Sequence, residues 1–210
     1  MVTKIKNDEN EKLDAIVNAA QKRFGHYGLC KTTMNEIASD IGMGKASLYY
    51  YFPDKEKLFE AVVIKEQNEF LAEVNKMIKP GVKAPLLLKQ YVTKRMVYFQ
   101  RFLNLALLKS ESISNPKPVI CRMCNDFRAK EVELIQSIIQ IGISNKEFRK
   151  VNSLEYADFF TTVMQGIRIS FIKSNGYGGD LNDLELINKH MAKTASMFIK
   201  EIQSNSNSEQ

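Results

Sequence analysis

The sequence predicts an all-α protein of about nine helices, and three observations carry that prediction. Glycine and proline number ten and five among 210 residues, well below their usual combined share of about 12%, so little of the chain favours turns. Apolar residues recur at three- and four-residue spacing through most of its length, the period of a helix that buries one face. No convincing apolar/polar alternation of the kind a half-buried strand needs is present.

Composition narrows the class further. The chain is 44% hydrophobic and 26% charged, which excludes a fibrous or wholly disordered protein. The densest apolar runs, Val62-Val63-Ile64 and Leu86-Leu87-Leu88, are interrupted by lysines within a residue or two and fall far short of the ~18 residues a membrane span requires. Met1 to Glu11 is polar and carries no apolar signal-peptide core, and the three cysteines Cys30, Cys121 and Cys124 cannot all pair. The expectation is a cytoplasmic protein with reduced thiols and no membrane partner.

The elements read in order as follows. Leu13, Ile16, Val17, Ala20 and Phe24 make the apolar stripe of a first helix, with Asp8, Glu9 and Glu11 near its positive end and Gly25 and Gly28 loosening its far end. Thr33-Met34-Asn35-Glu36 is a capping box that starts a short second helix with Ile37, Ala38 and Ile41 inward. Gly42 stands where a left-handed residue ends it. A third short helix runs from Lys45 to Phe52, where Pro53 stops it. Asp54 caps a long fourth helix, 55–79, with Leu58, Phe59, Val62, Phe70 and Val74 inward and Pro80-Gly81 beyond. After Pro85 a helix of about 25 residues extends to Ser110, and Ser114 to Pro118 is the strongest internal breaker. Further helices are expected at 118–124, 126–144, 154–174 and 181–203, followed by a polar tail.

Residues 1–57 carry 9 basic and 8 acidic side chains, so charge alone singles out no nucleic-acid-binding segment. Geometry does. Two short helices joined by Gly42-Met43-Gly44, with the first helix packed behind, form a helix-turn-helix arrangement. So short a turn holds the second helix rigidly, free to enter a DNA major groove. That helix has Lys45, Ala46, Ser47, Tyr49 and Tyr50 at outward positions: small residues allow close approach, lysine supplies charge, and tyrosines combine apolar contact with a hydroxyl. The competing reading is structural. Leu48 and Phe52 are core, Tyr49 shares their face, and Thr33 caps its helix whether or not DNA is present.

The run from Thr32 through Ala38, then Ile41 to Leu58, with Ala19-Ala20 and Phe24 to Gly28 ahead of it, resembles the TetR/AcrR family of bacterial repressors. The likeness covers about 50 residues; the rest agrees only in helix number and length. It implies that Thr33, with Thr32 and Met34 beside it, lies at the phosphate-bonding start of helix two. It also implies that Lys45, Ala46 and Ser47 approach bases, that Tyr49 and Tyr50 contact bases or backbone, and that Tyr51 and Lys55 clamp phosphates. Gly44 departs from the family pattern, where serine is frequent, and removes a hydroxyl cap.

The resemblance further implies a DNA-binding domain over 9–57, a ligand-sensing and dimerisation domain over 58–204 and a tail over 205–210. The expected function is a homodimeric repressor released from a palindromic operator by a small-molecule effector, with helix 55–79 as the connection. The last two helices would pair with their copies, through Phe160, Gly166, Ile167, Met191 and Phe198. Met96, Phe99, Phe102, Met123, Phe127 and Met164 sit on the middle helices and suit an adaptable pocket, or equally an ordinary core. A helical interaction protein without operator control is the alternative, distinguished by the lack of any preference for a palindrome.

No catalytic constellation stands out: there is no GxSxG, P-loop or GxGxxG, and only His26 and His190 are present. Glu131 and Glu133, and Asp180 and Asp183, read as solvated helix surface. Cys121-Arg122-Met123-Cys124 is a CxxC without further ligands for zinc. It reads as packing, with thiol sensing the lesser alternative, and Cys30 reads as packing between the first helices. No cofactor or metal is expected.

Overall fold

The computed structural model describes residues 2–106, 118–175 and 181–204, with side chains over 9–101, 122–171 and 184–204. Among them are eight helices: α1 (Val2–Lys31), α2 (Met34–Asp40), α3 (Lys45–Tyr51), α4 (Lys55–Asn75), α5 (Ala84–Ala106), α6 (Pro118–Ser144), α7 (Ser153–Asn175) and α8 (Leu181–Ile202). The described residues form no strand, only one isolated antiparallel bridge between Phe148 and Gln203. No helix among them is long and apolar enough to cross a membrane.

Three boundaries differ from the sequence reading. The expected break between 118–124 and 126–144 is absent, because Asn125 and Asp126 disfavour a helix interior by only a few tenths of a kcal/mol against alanine, which packing overrides. Helix α4 ends at Asn75; Met77 and Ile78 then form turns by donating to the Val74 and Asn75 carbonyls at 3.0 and 3.1 Å. Helix α1 continues past Gly25 to Lys31 with a kink at Gly28, whose φ of 77° is the left-handed conformation glycine adopts without a Cβ clash. The expected end of α5 at 107–110, the breaker at 114–117 and the tail at 205–210 lie outside the described residues.

The chain divides into two compact units, Met1–Asn68 with Phe99–Leu108, and Glu69–Tyr98 with Lys109–Gln210. Helices α4 and α5 each contribute to both. In the first unit Ile16, Val17, Ala20 and Phe24 of α1 are buried with Ile37 and Ala38 of α2, Leu48 of α3 and Leu58, Phe59 and Val62 of α4. Phe24 meets Phe59 edge to face at 5.6 Å. Each such large side chain contributes about 1.5–3 kcal/mol on burial. Leu13, expected in the stripe, is exposed; the buried face begins one turn later, at Ile16.

In the second unit α6 packs on α7 and α7 on α8, burying Ile135, Ile138, Phe160, Met164, Ile187, Met191 and Ile202. A β-carbon at Gly142 would lie 2.2 Å from Phe148 Cδ2, so only glycine permits that close approach. The end of α8 is tied to the α6–α7 loop by Arg149 N–H donating to the Ile202 carbonyl at 2.9 Å and Ser204 N–H to that of Glu147 at 3.1 Å. The Glu147 carboxylate also accepts the Ala84 N–H, at 2.7 Å.

Candidate nucleic-acid interface

The capping box forms as its residue types require. Thr33 takes an extended backbone, φ −113° and ψ 153°, and its Oγ1 accepts the Glu36 N–H at 3.3 Å. The Glu36 carboxylate accepts the Thr33 N–H at 2.8 Å and its hydroxyl at 2.7 Å. Those bonds from Thr33 hold the Glu36 carboxyl below its ordinary pKa. Gly42 follows the helix with φ 62°, and the Met43 N–H donates to the Ala38 carbonyl at 2.8 Å. Both ends of α2 are therefore closed, and α3 begins at a defined point.

A second restraint was not legible in the sequence. Arg23 of α1 forms a two-pronged ion pair with Asp40 at the end of α2, with Nη2 2.8 Å from Oδ1, and lies 3.4 Å from Glu36. The hydrogen bond with Asp40 holds the arginine pKa above and the aspartate pKa below their ordinary values. The partners are 17 residues apart, and no local pattern announces such a pair.

With α2 fixed, α3 turns Leu48 inward and leaves Lys45, Ala46, Ser47, Tyr49 and Tyr50 exposed. Tyr50 is 79% exposed and Tyr49 41%. A ring so open to water adds nothing to the core, and Lys45 Nζ stands 5.8 Å over the Tyr49 ring. Tyr51 is half-buried, its ring edge-on to that of Tyr50 at 5.3 Å. Gly44 caps α3 with φ −66° and no side-chain bond. The exposed strip thus combines one cation, two small residues and two phenols, which suits contact with both phosphates and base edges.

Three other residues of the motif are placed differently. Thr32 is buried, and its hydroxyl donates to the Gly28 carbonyl at 2.9 Å. Met34 is buried. Lys55 is half-buried, with Nζ donating to the carbonyls of Leu29 and Thr32 at 2.9 and 3.0 Å. Thr32 and Lys55 close the kinked end of α1, and Met34 belongs to the core.

Of the expected pocket residues, Met96, Phe127 and Met164 are buried in the second unit, Met123 is half-buried there, and Phe99 is buried in the first. The side chain of Phe102 lies outside the described residues. On the expected dimer face, Phe160, Met191 and Phe198 are buried within the chain's own core. Gly166 is exposed and Ile167 half-buried. Among the described residues, the large exposed apolar side chains of α7 and α8 are instead Leu154, Phe159, Ile169, Leu186 and Met197.

Cys30 and Cys124 are exposed rather than packed, and the side chain of Cys121 lies outside the described residues. Glu133 is exposed as expected, whereas Glu131 is buried. It faces inward because it is one helical turn from both Phe127 and Ile135, on the buried side of α6. The side chains of Asp180 and Asp183 lie outside the described residues.

Residues 16–62 match the family described as bacterial regulatory proteins, tetR family. The chain is 53% identical to a transcriptional regulator from Cytophaga hutchinsonii ATCC 33406, over 91% of its own length and 98% of that chain, with a TM-score of 0.86. It is 32% identical over 85 residues to the HTH-type transcriptional regulator RutR of Escherichia coli (strain K12), a match covering 40% of each protein. It is also 23% identical over 171 residues to the HTH-type transcriptional repressor BepR of Brucella suis biovar 1 (strain 1330), covering 77% of this chain and 80% of that repressor. The chain therefore spans two fifths of RutR and most of BepR.

Proposed function

Because the chain belongs to the TetR family of bacterial regulatory proteins, we propose that it is a cytoplasmic, homodimeric transcriptional repressor whose first unit reads duplex DNA and whose second unit senses a small molecule. The observation that carries this reading is the exposed strip Lys45, Ala46, Ser47, Tyr49 and Tyr50 on α3, which follows by a short turn on α2, itself held by a closed cap and an ion pair to α1. A rigid, open helix of this composition is suited to the major groove. Thr33 joins it at the start of α2, where it is exposed.

Repression and release follow by population shift. An effector that binds one conformation of the dimer better than the other lowers DNA affinity by the difference. Helix α4 belongs to both units and supplies the covalent link. The exposed Phe159, Gly166 and Met197 support a dimer face on α7 and α8, because apolar side chains left open to water are available to a copy.

The test is selection of binding sites from a random duplex pool. The expected winner is a two-fold symmetric site with half-sites on the order of 34–36 Å apart, or a multiple of that spacing. Equal binding to every duplex would favour a helical interaction protein without operator control.

A further inference from the structure

Three aromatic rings of the second unit lie against a guanidinium group, and a fourth packs beside them. Phe70, Tyr98 and Phe127 lie 5.3–5.9 Å from one another, centroid to centroid, and Tyr91 lies 5.9 Å from Phe70. The Arg95 guanidinium carbon stands 5.0 Å from the Tyr98 and Phe127 rings and 5.7 Å from Phe70. Arg95 donates to both oxygens of Glu131, and the Tyr91 hydroxyl donates to Glu131 Oε1. Burial opposes the charge of Glu131, but Arg95 and Arg168 outweigh it and hold the carboxyl below its ordinary range. Tyr91, raised by burial and by Glu131, keeps its proton and remains a donor.

Arg168 makes this cluster unbalanced. It is 5% exposed, and its Nη1 has no hydrogen-bond partner among the described residues. Its electrostatic neighbours are Arg95, Glu131, Tyr91 and Tyr98; burial first, and Arg95 next, lower its pKa to about 10, so it is charged at neutral pH. Two buried guanidiniums thus share one carboxylate. An uncompensated buried cation is strongly disfavoured, and an arginine donor is shaped to receive a carboxylate. The rings packed against Arg95, among which Tyr98 and the neighbouring Tyr91 also act electrostatically on Arg168, favour an apolar or aromatic body.

We propose that the Arg168–Arg95–Glu131 cluster recognises the effector, and that the effector is a small monocarboxylate on an apolar or aromatic body, its carboxylate pairing with the unpartnered Nη1 of Arg168. The inference rests on the second unit being the sensing part of a DNA-binding regulator. Among the described residues the cluster holds two guanidiniums and one carboxylate, so a single further carboxylate matches it.

The test is thermal unfolding of the full chain with benzoate, phenylacetate and octanoate, each against its matched alcohol and against inorganic phosphate. At about a hundredfold excess over the dissociation constant, a bound acid raises the midpoint by about 5–10 °C, whereas the alcohols and phosphate leave it unmoved. Arg168→Met should reduce the acid's affinity at least tenfold. No response to any of the three acids overturns the proposal, as does an equal response to alcohol or phosphate, or an unchanged response in Arg168→Met. If that variant does not fold, the acid–alcohol–phosphate comparison on the wild-type chain decides alone. Binding to the selected duplex is measured in parallel. Duplex binding without acid binding removes this inference and leaves the regulator reading standing; acid binding without a preferred duplex does the reverse.

Discussion

The Lys55 ammonium group donates to the Thr32 carbonyl at 3.0 Å and, on the same nitrogen, to that of Leu29 at 2.9 Å. It thereby places a positive charge at the carboxyl end of α1, where the helix dipole is negative and the last carbonyls lack helical partners. Lys55→Met should cost about 1.5–3 kcal/mol, the scale of hydrogen bonds to a charged group, read as a lower thermal midpoint. The salt dependence of duplex binding should keep its slope. A slope flattened by about one phosphate's worth would show that Lys55 contacts DNA instead.

Tyr50 is the opposite case. At 79% exposure its removal should leave stability within about 0.5 kcal/mol of wild type. Tyr50→Ala should nevertheless weaken binding to the selected duplex by about 1–3 kcal/mol. A variant that melts early and binds normally would remove Tyr50 from the contact surface.

Glu131 makes stability depend on acid. Its carboxyl pKa is lowered in the folded chain, so its contribution is fully present above the ordinary value of about 4.5 and is lost as pH falls through the folded value. Glu131→Gln leaves Arg95 and Arg168 without their counter-charge and should cost about 3–5 kcal/mol near neutrality. Its melting temperature should also fall less steeply than that of wild type below about pH 4.5. Glu36 and Asp40, similarly lowered, will preserve part of the acid limb. Parallel curves for the two proteins would show that Glu131 is not charged in the fold.

Adjacent residues of α8 separate dimerisation from folding. Met197 is 64% exposed and Phe198 is buried. Met197→Glu should yield a folded monomer by sedimentation, with lost operator binding, since the charge enters the exposed apolar face proposed to meet a copy. Phe198→Glu buries an unpaired carboxylate and should abolish cooperative unfolding. A tight dimer of Met197→Glu would move the interface elsewhere.

The helical class, the capping box at Thr33, the turn at Gly42 and the open positions of α3 were legible because each depends on residues within about eight positions of one another. Backbone caps, glycine turns and 3.6-residue periodicity act over that range. Periodicity also marked α7 and α8 as broadly apolar. It did not divide them into a face toward the chain's own core, with Phe160, Met191 and Phe198, and one toward solvent, with Phe159 and Met197. Both faces are apolar, and only the packing partner distinguishes them.

Local pattern was thus enough for three things: which segments are helices, where the helix-turn-helix turns, and which of its side chains are candidates for DNA. Long-range packing is what brings Lys55 to the end of α1, Arg23 to Asp40, and Arg95, Glu131 and Arg168 into one buried site. Charged residues on a helix normally signal water. These three stand one helical turn from Tyr91, Phe127 and Met164, on inward faces that are buried. Charges separated by 36 residues, as Arg95 and Glu131 are, leave no mark in a local pattern, because their attraction depends on distance in space and on how completely water is excluded from between them.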